Sequence, residues 1–382
     1  MNKKIVILVL HLGTGGAEKV ICNLANLLVE NYDVKIVSTY KLNEKPSFDI
    51  NGKVKIEYLI EDLQPNKQEL KNSLKNFNLI LSIKELIKSF KILYLRKYLM
   101  IKAIKNLNCD IVISTRILHN NLVGKYTNKK IIKIAQEHNH HNNNQKYIKK
   151  VIKSLRNFDY FMPVSNELAD FYKTKIKNTR TVYIPNFIEK IPNEKSNLQS
   201  KQLISVGRLD KVKGFDDLIY IFNTFQETHT DWVLHIVGDG PEKENLQNKI
   251  NKLNLQNKVF LCGTKLSNEL EKEYMNSSIY LMTSFSESFG LVLVEAASYG
   301  LPLIAFDSAQ GAKEIIENNK NGFLISNRNK NDFIKKINEL LEDSEKQKSF
   351  SENSLVTANK FSKDNISEIW NKFIDSIGDE SV

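Results

Sequence analysis

The feature that most restricts the fold is an alternation that runs through the chain twice. Short apolar, β-branched runs end in glycine- or serine-containing turns, and helical segments separate them. The first series comprises Ile5–Leu10, Val34–Thr39, Val54–Leu59, Ile111–Ser114, Ile131–Ala135 and Phe161–Val164. Between the first two runs, Ala17–Glu30 carries Val20, Ile21, Leu24, Leu27 and Leu28 at helical spacing. The second series comprises Leu203–Val206, Trp232–Val237, Val259–Cys262, Ile279–Met282 and Leu303–Phe306, with helices expected at Phe215–Phe225 and Glu242–Leu253. Runs that are apolar throughout, rather than at alternate residues, predict parallel strands buried on both faces. The polar stretch Glu189–Gln202 has no apolar period and reads as a linker. At 382 residues the chain exceeds one ordinary core and suits two. The expected architecture is α/β, with doubly wound domains at 1–188 and 203–360, a linker at 189–202, and a C-terminal helix at 361–382 packing back toward the first domain.

Composition removes several classes. Hydrophobic residues make up 41% and charged residues 26%, a globular profile, and no stretch approaches the roughly 20 apolar residues of a membrane-spanning helix. The start, Met1-Asn2-Lys3-Lys4 followed by Ile5–Leu10, imitates a signal peptide, but the apolar run soon gives way to Gly13-Thr14-Gly15-Gly16, and a buried first strand explains it better. Cys22, Cys109 and Cys262 are odd in number and far apart, without metal-ligand spacing, which argues against a disulfide framework and fits a reducing cytoplasm.

Charge is unevenly placed. Residues 1–185 hold 32 Lys and Arg against 15 Asp and Glu, net +17, while the remainder holds 23 against 29, net −6, within a total of +11. A basic first half suits an anionic surface or substrate; solvated lysine is the plainer explanation. Within that half, Lys67–Lys105 carries ten Lys or Arg and two Glu among Leu, Ile, Phe, Tyr and Met. It predicts one or two basic amphipathic helices, which either lie on an anionic membrane or present a solvated lysine face.

Two segments of the second half carry chemistry. In Ser205–Gly214, a strand ends at Gly207, and Arg208 and Lys213 follow on the loop into a helix. Arg grips two oxygens at once and Lys is a compact charge, so the pair at a helix N-terminus suits a diphosphate. In Ser284–Glu295, Glu287 stands in a loop beside Phe289-Gly290, and Glu295 follows in the next helix. Gly290 admits close backbone approach to a ligand. An unpaired Glu295 among Leu291–Ala297 is costly to bury, which favours a functional role over a core-flanking one.

With these segments stand Gly13-Thr-Gly-Gly-Ala-Glu18 and Gly311-Ala-Lys-Glu-Ile-Ile316 before Asn321-Gly-Phe-Leu324. Taken in order, the motifs resemble glycosyltransferase family four of the GT-B fold, with bacterial polysaccharide and carrier-lipid oligosaccharide transferases as the nearest look. The resemblance covers nearly the whole chain, strongly over residues 200–325 and weakly over residues 40–130. It implies two Rossmann-like domains facing across a cleft, the first binding acceptor and the second binding nucleotide sugar, and transfer with retention. Position by position it implies that Arg208 and Lys213 hold the diphosphate. Glu287 contacts the donor sugar, and Phe289, Gly290 and Leu291 hold sugar and phosphate through backbone amides. Glu295 binds ribose. Gly15 and Gly16 form the loop near phosphates and acceptor, His138 lies near the donor sugar, and the Cys262-Gly263-Thr264 backbone meets the base. One departure is Glu287-Ser288, where some carrier-lipid relatives have Glu-Gly.

His138 is followed by His140 and His141, but only Glu137 offers a further ligand nearby, so donor-sugar contact is preferred to a metal cluster or a solvated loop histidine. The chain has no Asp-x-Asp. Arg208, Lys213 and a helix N-terminus then have to offset the leaving diphosphate's charge, which predicts a metal-independent enzyme without a cofactor. The expected reaction moves a hexose or N-acetylhexosamine from a UDP-linked donor to a surface-polysaccharide or polyprenyl-diphosphate-linked acceptor. The expected place is the cytoplasm, peripheral on the inner face of the plasma membrane, with no nucleic-acid partner. The competing readings are a sugar-nucleotide epimerase on the same architecture and a non-enzymatic basic module for membrane or nucleic acid. The latter leaves the second-half carboxylates unexplained, and aromatic-interleaved basic motifs are absent. A dehydrogenase is weaker still, because Gly13-Thr-Gly-Gly is not Gly-x-Gly-x-x-Gly and no acidic residue closes the second strand.

Overall fold

The computed structural model describes residues 2–265 and 267–379. The chain divides into two compact units, Met1–Ile184 and Pro185–Val382. The first unit contains β1 (Lys4–Val9), β2 (Asp33–Tyr40), β3 (Lys55–Ile60), β4 (Ile111–Ser114), β5 (Ile132–Glu137), β6 (Tyr160–Pro163) and β7 (Arg180–Thr181). They form one parallel sheet in the order β3-β2-β1-β4-β5-β6-β7, with Ile5 opposite both Val34 and Ile111. The second unit contains β8 (Gln202–Val206), β9 (Val233–Val237), β10 (Val259–Leu261), β11 (Ile279–Met282), β12 (Leu303–Phe306) and β13 (Gly322–Ile325). This sheet is also parallel, in the order β10-β9-β8-β11-β12-β13. The apolar runs become strands because helices bury both of their faces; β4, β6, β11 and β12 are buried at every residue. Both units are Rossmann-like and together match the GT-B fold.

Strand order reverses at the first strand of each sheet. β1 lies between β2 and β4, and β8 lies between β9 and β11. Loops leaving the carboxyl ends of these neighbours diverge to opposite faces and open a crevice, where ligands of doubly wound sheets collect. The glycine loop at residues 13–16 follows β1, and Arg208 and Glu287 follow β8 and β11.

Two strands, β7 and β13, escape the sequence reading. β7 has only two residues and no period, and β13 begins directly after Lys320-Asn321, where the composition signals a turn. The polar stretch 189–202 is fastened to the second unit by groups that composition does not reveal. Ser196 donates its backbone N–H to Tyr299 O at 2.9 Å and its hydroxyl to Ser277 O at 2.5 Å. Just before it, Ile188 exchanges backbone hydrogen bonds with Phe361 and Lys363. Helix Lys363–Asp379 buries Ile366, Trp370, Ile374 and Ile377 along one face.

The Lys67–Lys105 region forms two helices, Lys67–Lys75 and Leu79–Lys105, joined through Phe77 at a left-handed φ of 52°. The second helix is capped by Asn78, whose side chain accepts from the Leu81 N–H at 3.0 Å. Among the described residues, no helix is long and apolar enough to cross a membrane.

Candidate active site

In the second unit, β8 runs into Gly207 and Arg208. Asp210 then caps a short 3₁₀ turn, Lys211–Lys213, by accepting from the N–H groups of Val212 and Lys213 at 3.1 and 3.3 Å. Gly214 follows at φ 66°, with its carbonyl taking the Thr283 hydroxyl at 2.9 Å. A β-carbon on Gly214 would lie 2.2 Å from Thr283 O, so only glycine lets the loop after β8 close against the loop after β11. This closure aims Lys213 back over Gly207 and into a hydrogen-bonded ion pair with Glu287 Oε2. Both side chains are mostly buried. Arg208 is exposed, with no ion pair to its guanidinium among the described residues.

Glu287 is fixed from behind: its carbonyl accepts from the Gly311 N–H at 2.9 Å. A β-carbon on Gly311 would lie 2.2 Å from Phe289 O, so the motif at 311–316 packs its backbone directly under the Glu287 loop. Phe289 is buried and meets Phe361 edge-on. Gly290, at φ 90°, turns the chain into helix Leu291–Ser298, and the N-terminus of that helix carries partial positive charge toward the loop. Glu295 lies in this helix as expected, but it is not an unpaired carboxylate. The hydroxyl of buried Tyr274 donates to Glu295 Oε2 at 3.3 Å, and burial together with this carboxylate pushes the phenol well above its usual range. The cost argument for a functional Glu295 therefore loses its force, while its placement stands.

Two positions in this unit carry no signal in the motifs. Arg328 donates to Asp217 Oδ2 at 2.6 Å, to the carbonyls of Thr283 and Ser284 at 2.9 and 3.0 Å, and to Ser308. Its guanidinium also stacks 3.7 Å from the Phe285 ring centre. It clamps the start of the Glu287 loop. Burial alone would raise the Asp217 pKa, but hydrogen bonds from Lys330 and Arg328 lower it. Tyr280, on β11, exchanges hydrogen bonds with the Val206 backbone and lies in the electrostatic field of both Glu287 and Glu295.

Gly263, at φ 68°, follows Cys262 and accepts from the Gly238 N–H at 2.8 Å. The fold gathers His235, Cys262 and Glu273 behind it, their donor atoms all within 4.8 Å of one another. Burial alone would lower the His235 pKa, but hydrogen bonds to Cys262 and Glu273 raise it to about 9. The protonated ring pairs with Glu273 at 2.7 Å, and Lys265 stands 3.7 Å from the same carboxylate. The local charge is thus met by side chains.

In the first unit, Gly15 caps helix Gly16–Leu28, and Glu18 folds back over it. Glu18 is buried and pairs with Arg116 at 2.7 Å. Arg116, two residues after β4, is the residue that motif reading missed, and its only sequence signal is a cation near a strand end. His11 accepts the Gly13 N–H at Nδ1, 3.3 Å, and burial lowers its pKa against the pull of Glu18. His138 follows β5, and its Nε2 is enclosed without a hydrogen-bond partner. Burial, then the field of Arg116, lowers its pKa to about 4, so the ring is neutral near pH 7. Glu137 is buried as well, raised by desolvation and held by the Asn139 N–H at 3.0 Å. Around the ends of β1, β4 and β5, Arg116 pairs with buried Glu18 beside histidines that burial keeps neutral. Gly16 is open, with nothing within 4 Å of where a β-carbon would stand.

Comparison with known proteins follows this geometry. Residues 186–355 match the family described as "Glycosyl transferases group 1". The chain is 28% identical over 378 residues to an uncharacterized glycosyltransferase of Haemophilus influenzae, covering 96% of this chain and 99% of that one. These matches support a glycosyltransferase of the GT-B kind. A second relative is the Campylobacter jejuni N-acetylgalactosamine-N,N'-diacetylbacillosaminyl-diphospho-undecaprenol 4-alpha-N-acetylgalactosaminyltransferase, 26% identical, covering 94% of this chain and 96% of that one. Among solved structures, a TarM variant of S. aureus in complex with UDP and alpha-GlcNAc-glycerol superposes with a TM-score of 0.75 at 17% identity, covering 97% and 99% of the two chains. The glycosyl transferases group 1 match coincides with the unit that holds the Lys213–Glu287 pair.

Proposed function

We propose that this chain is a retaining, metal-independent transferase that moves a hexose or N-acetylhexosamine from a UDP-linked donor to a surface-polysaccharide or polyprenyl-diphosphate-linked acceptor. The observation that carries the donor half is the Lys213–Glu287 pair, held between two strand ends and the N-terminus of helix Leu291–Ser298. Lys213 and Arg208 would take the diphosphate, Glu287 a sugar hydroxyl, Glu295 the ribose, and the Gly263 backbone the base. The helix dipole and the two cations supply positive charge where the leaving group gains negative charge, which is the task a metal performs elsewhere. UDP in the TarM structure and the diphospho-undecaprenol acceptor named for the Campylobacter relative support these substrate classes. In the first unit, Arg116, His138 and the loop at Gly15-Gly16 would face the acceptor.

Membrane contact belongs to the same proposal, and one observation favours it over a solvated lysine face. The first part of the helical hairpin, residues 66–90, buries polar groups and exposes apolar ones, while Ile92, Met100 and Ile104 further along are buried. Asn66 meets Glu85 at 2.6 Å and Ser89 at 2.8 Å, and Ser73 meets Ser82 at 3.2 Å. Phe77 is 93% exposed, Ile80 84% and Phe90 71%. Water selects the opposite arrangement; an anionic lipid surface accepts exposed apolar residues interspersed with lysines.

The decisive experiment is a transfer screen over UDP-, GDP- and ADP-sugars, with the product anomer read by NMR. An α-linked product from a UDP-sugar, formed at unchanged kcat in EDTA, is expected. Inversion, or loss restored only by Mn²⁺ or Mg²⁺, overturns the respective part. Epimerised donor with no released UDP would favour the epimerase.

A further inference from the structure

His235, Cys262 and Glu273 come from three elements and converge on one point, and the donor chemistry uses none of their side chains. The sheet register brings the first two together. His235 on β9 stands opposite Phe260 on the parallel β10, and Cys262, two residues further, returns to the same face. Glu273 reaches that face from helix Ser267–Met275. An imidazole, a thiol and a carboxylate thus offer one nitrogen, one sulfur and one oxygen, all within 4.8 Å of one another.

The His235–Glu273 contact alone is an ion pair, and an ion pair needs no thiol. The Cys262 Sγ makes only a weak contact, 3.5 Å to Phe260 O, so it is held near the pair without being tied elsewhere. The surroundings brace the other two groups. The Phe260 ring packs edge-on against the His235 ring, with centroids 5.3 Å apart. Gln202 Nε2 donates to Glu273 Oε2 at 3.4 Å, and Lys265 attends the other oxygen, Oε1, at 3.7 Å. The outer oxygen therefore keeps its cation while Oε2, His235 Nδ1 and Cys262 Sγ remain to share a ligand. Side-chain exposure of 23% for His235 and 15% for Glu273 leaves a path from solvent.

We infer that this triad is a binding site for a soft divalent cation, Zn²⁺ above all. Thiolate and imidazole select Zn²⁺ over Mg²⁺, Ca²⁺ and Mn²⁺, which want several oxygens. Zinc bond lengths place tetrahedral ligand atoms about 3.3–3.7 Å apart, so these atoms need shifts on the order of 1 Å, within reach of side-chain torsions. The exchange balances: Zn²⁺ enters, the thiol proton and the imidazole Nδ1 proton leave, and three protein bonds to the metal form, with a solvent water as the fourth. One dication for two protons leaves the local charge unchanged. Cys262 directly precedes Gly263, so the ion fastens that loop to β9 and to helix Ser267–Met275. It carries none of the diphosphate's charge, and the unchanged kcat expected in EDTA stands beside it.

The test is a titration of chelator-stripped, reduced protein with CoCl₂, read by absorption without nucleotide or acceptor. A thiolate-to-cobalt charge-transfer band should saturate at one ion per chain, and ZnCl₂ should bleach it. Cys262→Ser should abolish the band, and Cys109→Ser should keep it. His235→Asn and Glu273→Gln should each weaken cobalt binding at least tenfold. ZnCl₂ should also raise the thermal midpoint of the unchanged protein but not of Cys262→Ser, whose cooperative unfolding in the absence of metal shows that it folds. Absence of the band in the unchanged protein overturns the inference. So does a band that survives Cys262→Ser, a cobalt affinity unchanged in either of the other two variants, or displacement by about a hundredfold excess of MgCl₂, which marks an oxygen site. Because no step of the test involves transfer, a failed transferase reading would leave this site standing, and the reverse holds as well.

Discussion

The two units share one strand grammar and solve the carboxyl edge of their sheets differently. In the second unit, backbone does most of the work. Gly214 and Gly311 let loops approach within distances no side chain would permit, Gly290 turns the chain at φ 90°, and the result is the Lys213–Glu287 ion pair, aimed by turns and a helix start. In the first unit, side chains do the work: Arg116 neutralises buried Glu18, and burial keeps His11, His119 and His138 largely uncharged. Backbone-built sites are legible as spaced glycines, and the group 1 match covers the second unit alone. Side-chain-built sites leave only scattered residues.

The largest effect should come from the backbone-aimed pair. Lys213→Ala is expected to lower kcat by roughly 10²–10³, as other losses of transition-state charge stabilisation do. Glu287→Gln should hurt comparably. Near-normal turnover in steady-state assays with saturating donor would break the comparison at its stronger end.

For the first unit, Arg116→Ala leaves Glu18 buried without its partner, which should cost about 3 kcal/mol of stability. Denaturant unfolding checks this, and Glu18→Gln added to the same chain should recover part of the loss. If the double variant is no more stable than the single one, Arg116 is not neutralising Glu18.

Glu295→Gln should leave kcat near normal and raise the donor KM by about tenfold if the residue holds ribose. Tyr274→Phe separates that role from packing, since it removes the partner and leaves the carboxylate. An unchanged KM in the first variant would reassign Glu295 to the core.

The smallest effect is electrostatic. His235 has a folded pKa of about 9 against an ordinary 6.5. A raised folded value means the contribution is full below about 6.5 and is lost as pH rises through about 9. For a pair that keeps some contact with solvent this is on the order of 1 kcal/mol. Urea unfolding between these limits should show the decline, and His235→Asn should flatten it. A slope unchanged in the variant would place the charge elsewhere.

Much of the architecture could be read in advance. Ile279–Met282 and Leu303–Phe306 are strands at the expected residues, as Phe215–Phe225 is a helix, because a buried parallel strand must be apolar at every position. The hairpin at 67–105 could be read as helical and basic, but not as burying Ser73, Ser82 and Glu85 while leaving Phe77, Ile80 and Phe90 exposed. Periodicity reports that apolar and polar residues segregate, not which face meets the neighbouring helix. β7 and β13 were too short or too turn-like to register.

By itself, then, the sequence determined the two series of parallel strands and helices and the segments that carry Arg208, Lys213, Glu287 and Glu295, while the strand order and its reversal points came from the structure. The series and the segments depend on local pattern and on glycines whose neighbours in sequence announce them. Only the tertiary structure decided that Lys213 meets Glu287 across 74 residues, that Tyr274 partners Glu295, and that Arg328 clamps the loop after β11. It also decided that Arg116 serves Glu18, and that His235, Cys262 and Glu273 converge. Each of these pairings joins residues on different elements. The physical reason is that a charge buried far from its partner in sequence can be satisfied by any element the sheet order brings alongside, and no local spacing records which one that is.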